Sequence, residues 1–140
     1  MFALLIGVLA AAVLIAIGVL HIVWLRTSWP WNSPAELNSA VFGSSEATPP
    51  PAILYWATGA ALVAAGVLVL MQAGAVPALT PEWLRGIAMW ALAGVLLLRG
   101  VGGYFMNSNA SAEFVRLNSY VYSPLCIALA ALVVIVQLVR

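Results

Sequence analysis

Four apolar runs, each about as long as a bilayer is thick, leave this chain few folds to adopt. They cover about 2–25, 52–71, 81–103 and 123–139. The first, Phe2 to Leu25, carries no charge unless His21 is protonated. At about 1.5 Å per residue it crosses the roughly 30 Å hydrocarbon core with tilt to spare. Hydrophobic residues make up 65% of the chain and charged residues 6%, against about 45–50% and about 25% in soluble domains. So few charges cannot coat a water-soluble surface. The expected fold is all-α, a four-helix transmembrane bundle with two long loops on the same membrane side. Residues 1–140 form a single integral domain, multi-pass in the cell membrane. The opening run lacks a basic n-region and is too long for a signal-peptide core, so it reads as a retained span.

The connections set the order of the spans. Residues 72–80 are too few for anything but a tight link, so spans two and three are expected to be antiparallel neighbours. Thr80-Pro81-Glu82 has the pattern of a helix start, with Thr80 as N-cap and Pro81 at the first helical position. Ser123-Pro124 repeats that pattern before span four. Gly100, Gly102 and Gly103 offer left-handed conformations at the end of span three. Small residues recur at Ala3, Gly7 and Ala11 and again at Ala57, Ala61 and Ala65, as stripes that let helices approach closely.

Between spans one and two, residues 26–51 are rich in proline and polar residues, including Glu36, Glu46 and the run Pro49-Pro50-Pro51. Within them, Pro34 to Phe42 has the makings of a short interfacial helix, with Leu37 and Val41 on one face toward lipid. Trp29 and Trp31 suit a membrane interface. Tyr104 to Tyr122 forms the second long loop. Arg26, Arg99 and Arg116 lie on the loop side, and Arg85, Arg140 and the amino terminus on the other. The positive-inside bias therefore selects neither orientation.

Because the spans alternate, the chemistry-bearing residues His21, Trp24, Trp56, Arg99, Tyr104, Tyr122 and Cys126 fall at the loop-side end. These are the candidate ligand-binding residues, with His21 and Tyr122 the candidate catalytic ones. Polar groups in hydrocarbon are costly unless paired, so they gather where a cavity or partner satisfies them. His21 is either a proton carrier or axial metal ligand, or a headgroup-level histidine bonded to a loop carbonyl or water. The second reading is favoured by its nearness to the span boundary. Arg99 is either an anion receptor with fork geometry or a snorkelling arginine. Cys126 reads more readily as a small apolar filler than as a nucleophile. The tryptophans fit an apolar pocket or an aromatic belt. The opposite end, with Gln72, Glu82, Trp83, Arg85, Gln137 and Arg140, is expected to be mostly interfacial.

Several functions are excluded by what is missing. Lysine and aspartate are absent and net charge is +1, so no basic field exists to hold nucleic acid. One cysteine allows no internal disulfide and no cysteine-rich zinc site, and no second histidine is present, so no metal is expected. There is no glycine-rich phosphate loop and no Ser/His/acid set. Composition implies no particular cofactor.

Several markers resemble the bacterial membrane family catalogued as domain of unknown function 3995. They are His21-Ile-Val-Trp24, then Trp29-Pro30 and Gly43, then Leu98-Arg99-Gly100-Val101-Gly102-Gly103. Phe114-Val115-Arg116-Leu117-Asn118 leads into the last and most specific marker, Tyr122-Ser123-Pro124-Leu125-Cys126. The likeness covers nearly the whole chain and implies a small four-helix integral membrane protein without an assigned activity. Relatives carry an acidic residue where this chain has Gly103, which implies that any acidic partner of Arg99 is missing here or supplied by Glu113.

Three functions compete. The first is a binding or accessory membrane protein whose loop-side end holds a lipid, a small apolar molecule, a second copy or a partner membrane subunit. The second is a membrane enzyme acting on a lipid-soluble substrate, with His21 as acid/base and Tyr122 or Arg99 polarising the substrate. A transporter or channel ranks third, because no pair of broken apolar helices marks a midplane site.

Overall fold

The computed structural model describes residues 1–44 and 50–140. Glu46 and Pro49 lie outside the described residues. Among those described there are helices and no strands, and four helices are long and apolar enough to cross a membrane. They are α1 (Phe2–Val23), α3 (Ala52–Ala73), α4 (Glu82–Gly103) and a continuous helix over Ala112–Val139. The last comprises α5 (Ala112–Leu117), a π turn and α6 (Ser123–Val139), so the expected loop over 104–122 is helical from Ala112. The short α2 (Pro34–Leu37) lies between α1 and α3. Five-residue π-helices follow α2 and α5: π1 (Asn38–Phe42) and π2 (Asn118–Tyr122).

Packing follows the small residues. Gly18 on α1 meets Gly59 on α3 so closely that a Cβ at residue 18 would lie 2.8 Å from the Gly59 carbonyl oxygen. Gly66 sits against Ile15 and Ala11, and Gly7 against Ala73. The seam on α3 is therefore made by its glycines; Ala57 and Ala61, from the expected stripe, are exposed. Residue 18 meets 59 while residue 7 meets 73, so α1 and α3 are antiparallel. Gly100 repeats the arrangement on α4, with Ile127 and Ser123 of α6 against it.

The tightly packed pairs are thus α1 with α3 and α4 with α6. The α3–α4 pair, expected as neighbours from the short link, touches far less. A tight link fixes antiparallel sense, but area of contact goes to the pairs with glycine seams. The two hairpins join around Ala10, Leu14, Val69, Met89, Val133 and Val136, all fully buried.

Helix ends depart from the expected signals. The α4 helix starts at Glu82 without a side-chain cap. Thr80 instead offers its carbonyl to Arg85 Nη1. Its C-terminal glycines are not left-handed: positive φ occurs at Gly43 and Gly74, and Gly100 and Gly103 serve close approach. Ser123-Pro124 opens α6 without a side-chain cap, because π2 runs straight into α6 with Tyr122 and Ser123 both helical. A proline inside a helix lacks its N–H and crowds the carbonyl one turn back. The wider π turn just before it is where such a defect is accommodated.

The two hairpins share a local sequence. Leu37-Asn38-Ser39-Ala40-Val41-Phe42 and Leu117-Asn118-Ser119-Tyr120-Val121-Tyr122 each begin a π-helix at a fully buried asparagine. Each is preceded by a short helix capped by a serine, Ser33 accepting from Glu36 N and Ser111 from Phe114 N, both at 3.2 Å. Leu37 and Val41 do not face lipid. Leu37 is buried with Trp24 and Tyr55, and Val41 packs on that cluster.

The hairpins interlock through π1. A helix leaves its last four carbonyls without internal donors, and here the other hairpin serves two of them and the capping glycine. Ser111 Oγ donates to Ser39 O at 2.6 Å, Tyr122 OH donates to Ala40 O at 3.0 Å, and Ser111 N donates to Gly43 O at 3.0 Å.

Candidate functional site

The loop-side end resolves into two side-chain clusters, one on each hairpin. The first is aromatic. Trp24, the residue that ends α1, donates Nε1–H to Trp29 O at 2.8 Å and is buried against Leu37 and Tyr55. Its ring lies 5.9 Å from Trp31 and 6.5 Å from Tyr55, and Phe42 meets Tyr55 edge-on at 5.6 Å. His21 sits a turn below, its ring 4.7 Å from Trp24. Its Nδ1 is 2.8 Å from Ile17 O. A carbonyl can only accept, so Nδ1 carries the proton and Nε2 is the accepting nitrogen.

Two grooves flank the segment Leu25-Arg26-Thr27, whose residues line both. One, of about 670 Å³, runs along the outside of α1 and α3, walled by Val19, Ile22, Val23 and Trp56. The other, of about 420 Å³, opens beneath α2, with Trp24, Leu37 and Tyr55 in its wall. Among the described residues the Arg26 side chain has no hydrogen-bond or ion-pair partner. His21 lines neither groove.

The second cluster is polar and centres on Asn118, which is fully buried. Its Nδ2 donates to Gly103 O at 2.5 Å and to Asn107 Oδ1 at 3.1 Å. Its Oδ1 accepts from Arg99 Nη1 at 3.0 Å and from Ser123 Oγ at 3.3 Å. An amide has two donors and two acceptor lone pairs, and all four are used. Gly103 is what makes room: a Cβ there would overlap Ser123 Oγ and lie 2.5 Å from Arg99 Nη1.

Of the candidate residues, His21 and Trp24 belong to the aromatic cluster and Arg99 to the polar one. Tyr122 ties π2 to π1 through Ala40 O and stacks at 6.3 Å on Phe114. Tyr104 is exposed and reaches Ser119 O at 3.4 Å. Trp56 is exposed on a groove wall, and Cys126 is a half-buried free thiol on α6. Glu113 does not serve Arg99; it pairs with Arg116 at 3.1 Å, three residues along the same helix. Among the described residues no group of three or more His, Cys, Asp or Glu is placed to hold a metal ion.

Sequence reasoning passed over the buried asparagines, although the repeated Leu-Asn-Ser-x-Val-aromatic string was visible in the chain. It also undervalued the far end. Gln72 is buried there, donating to Gln137 Oε1 at 2.7 Å and accepting from Arg85 Nε at 3.2 Å, and Arg140 pairs with Glu82.

Four membrane-length apolar helices, with polar and aromatic clusters gathered at one end, define a small all-helical bundle of the membrane type. Within that class, the chain belongs to the family described as protein of unknown function (DUF3995), whose model matches residues 3–133. No curated protein and no solved structure matches it.

Proposed function

We propose that this is a lipid-binding membrane protein, holding an amphiphile with an anionic head and an apolar chain at the loop-side end of α1 and α3. The observation behind this reading is the convergence of two grooves on Arg26. Both grooves fall in the roughly 300–1,000 Å³ range of small-molecule sites. Their walls are mainly apolar and aromatic, which suits a hydrocarbon chain, and Arg26 offers a cation without a counterion among the described residues. Trp56, exposed beside it, has the amphipathic character of a residue at headgroup level.

An enzyme using His21 has less support. The imidazole is engaged by Ile17 O and Trp24, and no acid or base partner stands beside it among the described residues.

The test is thermal stability of the delipidated full chain in neutral detergent, titrated with phosphatidylglycerol, phosphatidylcholine or a long-chain alcohol. Stabilisation by phosphatidylglycerol that falls in Arg26→Gln and in Trp56→Ala supports the reading. Equal response of wild type and both variants to all three additives overturns it.

A further inference from the structure

Arg99 carries a positive charge that the protein holds in place without neutralising. It lies one turn before the C-terminal end of α4, half-buried. Its hydrogen-bond partner, Asn118, is a neutral amide locked by four bonds. The nearest acid in sequence, Glu113, is occupied by Arg116. With Nη1 on Asn118, the Nε and Nη2 donors have no acceptor among the described residues. Those two N–H groups form one edge of the guanidinium, the edge that matches two oxygens of an oxyanion.

The surroundings fix this geometry. Gly103 lets the guanidinium lie against the backbone, where any side chain would displace it. Ser123 braces Asn118 from α6 and Asn107 braces it from the loop. An arginine that simply reached for water would need none of this bracing. A partly desolvated cation held by a dipole alone is stabilised by a counter-anion more strongly than one in water, because the local dielectric is lower.

We propose that Arg99 is an oxyanion-binding residue that takes a phosphate group through Nε and Nη2, with Asn118 as its positioning residue. The site lies on the second hairpin, apart from the Arg26 grooves of the first, so each proposal can fail alone. The phosphate can come from a phospholipid headgroup or from free phosphate.

Native mass spectrometry and phosphorus-31 NMR on the detergent-solubilised full chain test it, with three probes: inorganic phosphate, phosphatidylglycerol and phosphate-free diacylglycerol. Wild type and Arg26→Gln are expected to retain a phosphate-bearing probe. Arg99→Gln is expected to lose affinity by about tenfold or more, the worth of one charge-assisted hydrogen bond. Arg99→Lys keeps the charge without the fork, and is expected to fall between the two; it also stands in if the glutamine variant does not fold. Retention of both inorganic phosphate and phosphatidylglycerol supports the site with free phosphate sufficient, and retention of phosphatidylglycerol alone supports a headgroup source. Equal uptake of the phosphate probes by wild type and both Arg99 variants overturns the proposal. So does uptake by wild type that does not distinguish phosphatidylglycerol from diacylglycerol and includes no inorganic phosphate.

Discussion

Replacing Asn118 with leucine, nearly the same size, removes all four amide bonds while keeping the volume filled. The cost follows from what is left behind. Ser123 is fully buried and Gly103 is buried, so the serine hydroxyl loses a partner it cannot replace with water, while the glycine carbonyl loses one of two donors and keeps Met106 N at 3.1 Å. A buried polar group left unpaired costs about 1–3 kcal/mol. Arg99 and Asn107 are half-buried and can turn to solvent, so they add little. One stranded hydroxyl and one lost hydrogen bond worth about 1 kcal/mol, less about 1 kcal/mol regained from the apolar side chain, leave a destabilisation of about 2 kcal/mol. For a chain of this length that is a Tm lower by roughly 6 °C. Circular dichroism at 222 nm through a thermal ramp in neutral detergent measures it. Asn118→Asp keeps an acceptor for Arg99 and Ser123 but sets a carboxylate against the Gly103 carbonyl, and is expected between wild type and leucine. Ser108→Ala, on an exposed loop residue, serves as control. A leucine variant melting within about 2 °C of wild type would refute the claim that this amide organises the end of the second hairpin.

Other outcomes follow from the same geometry. Tyr122→Phe removes the donor to Ala40 O, and is expected to cost about 1 kcal/mol and to speed amide hydrogen exchange in residues 38–43. Gly59→Ala puts a Cβ 2.6 Å from Ile22 Cγ1 and 2.8 Å from Gly18 O; overpacking of this kind costs about 1–3 kcal/mol, read as a lower melting temperature. Gln72→Leu at the far end takes the partner from Gln137 Oε1 and Arg85 Nε, on half-buried residues that can turn to solvent, and is expected to cost about 1 kcal/mol without altering phosphate uptake. In a Cys126→Ser background, single cysteines at Asn32 and Ser108 are expected to react with an impermeant maleimide from one side of a sealed vesicle, and one at Gly74 from the other. Labelling of Asn32→Cys and Ser108→Cys from opposite sides would break the hairpin arrangement.

The family followed from markers spread along the whole chain, from His21-Ile-Val-Trp24 to Tyr122-Ser123-Pro124-Leu125-Cys126, and its model matches residues 3–133. Those markers divide physically. Gly100 and Gly103 are close-contact positions, Trp24 anchors the loop through Trp29 O, and Tyr122 binds one hairpin to the other. They carry architecture, so a match to them brings fold without activity.

The amino-acid sequence by itself determined the number, length and type of the long helices, because hydrocarbon-length apolar runs depend on composition alone. It also determined that His21, Trp24, Trp56 and Arg99 share one end, because antiparallel spans leave no other placement. Which helices pack closely, and which polar side chains meet, was decided by tertiary structure. The face with Gly59 and Gly66 and the opposite face with Ala57 and Ala61 both read as small-residue stripes, and only the opposing Gly18 shows which one makes the seam. Asn118 meets Arg99 because the π turn and α5 fold back over the end of α4, a contact nineteen residues apart. Hydrogen bonds between neutral side chains leave no periodicity in a sequence, so that network becomes visible only when the helices are in place.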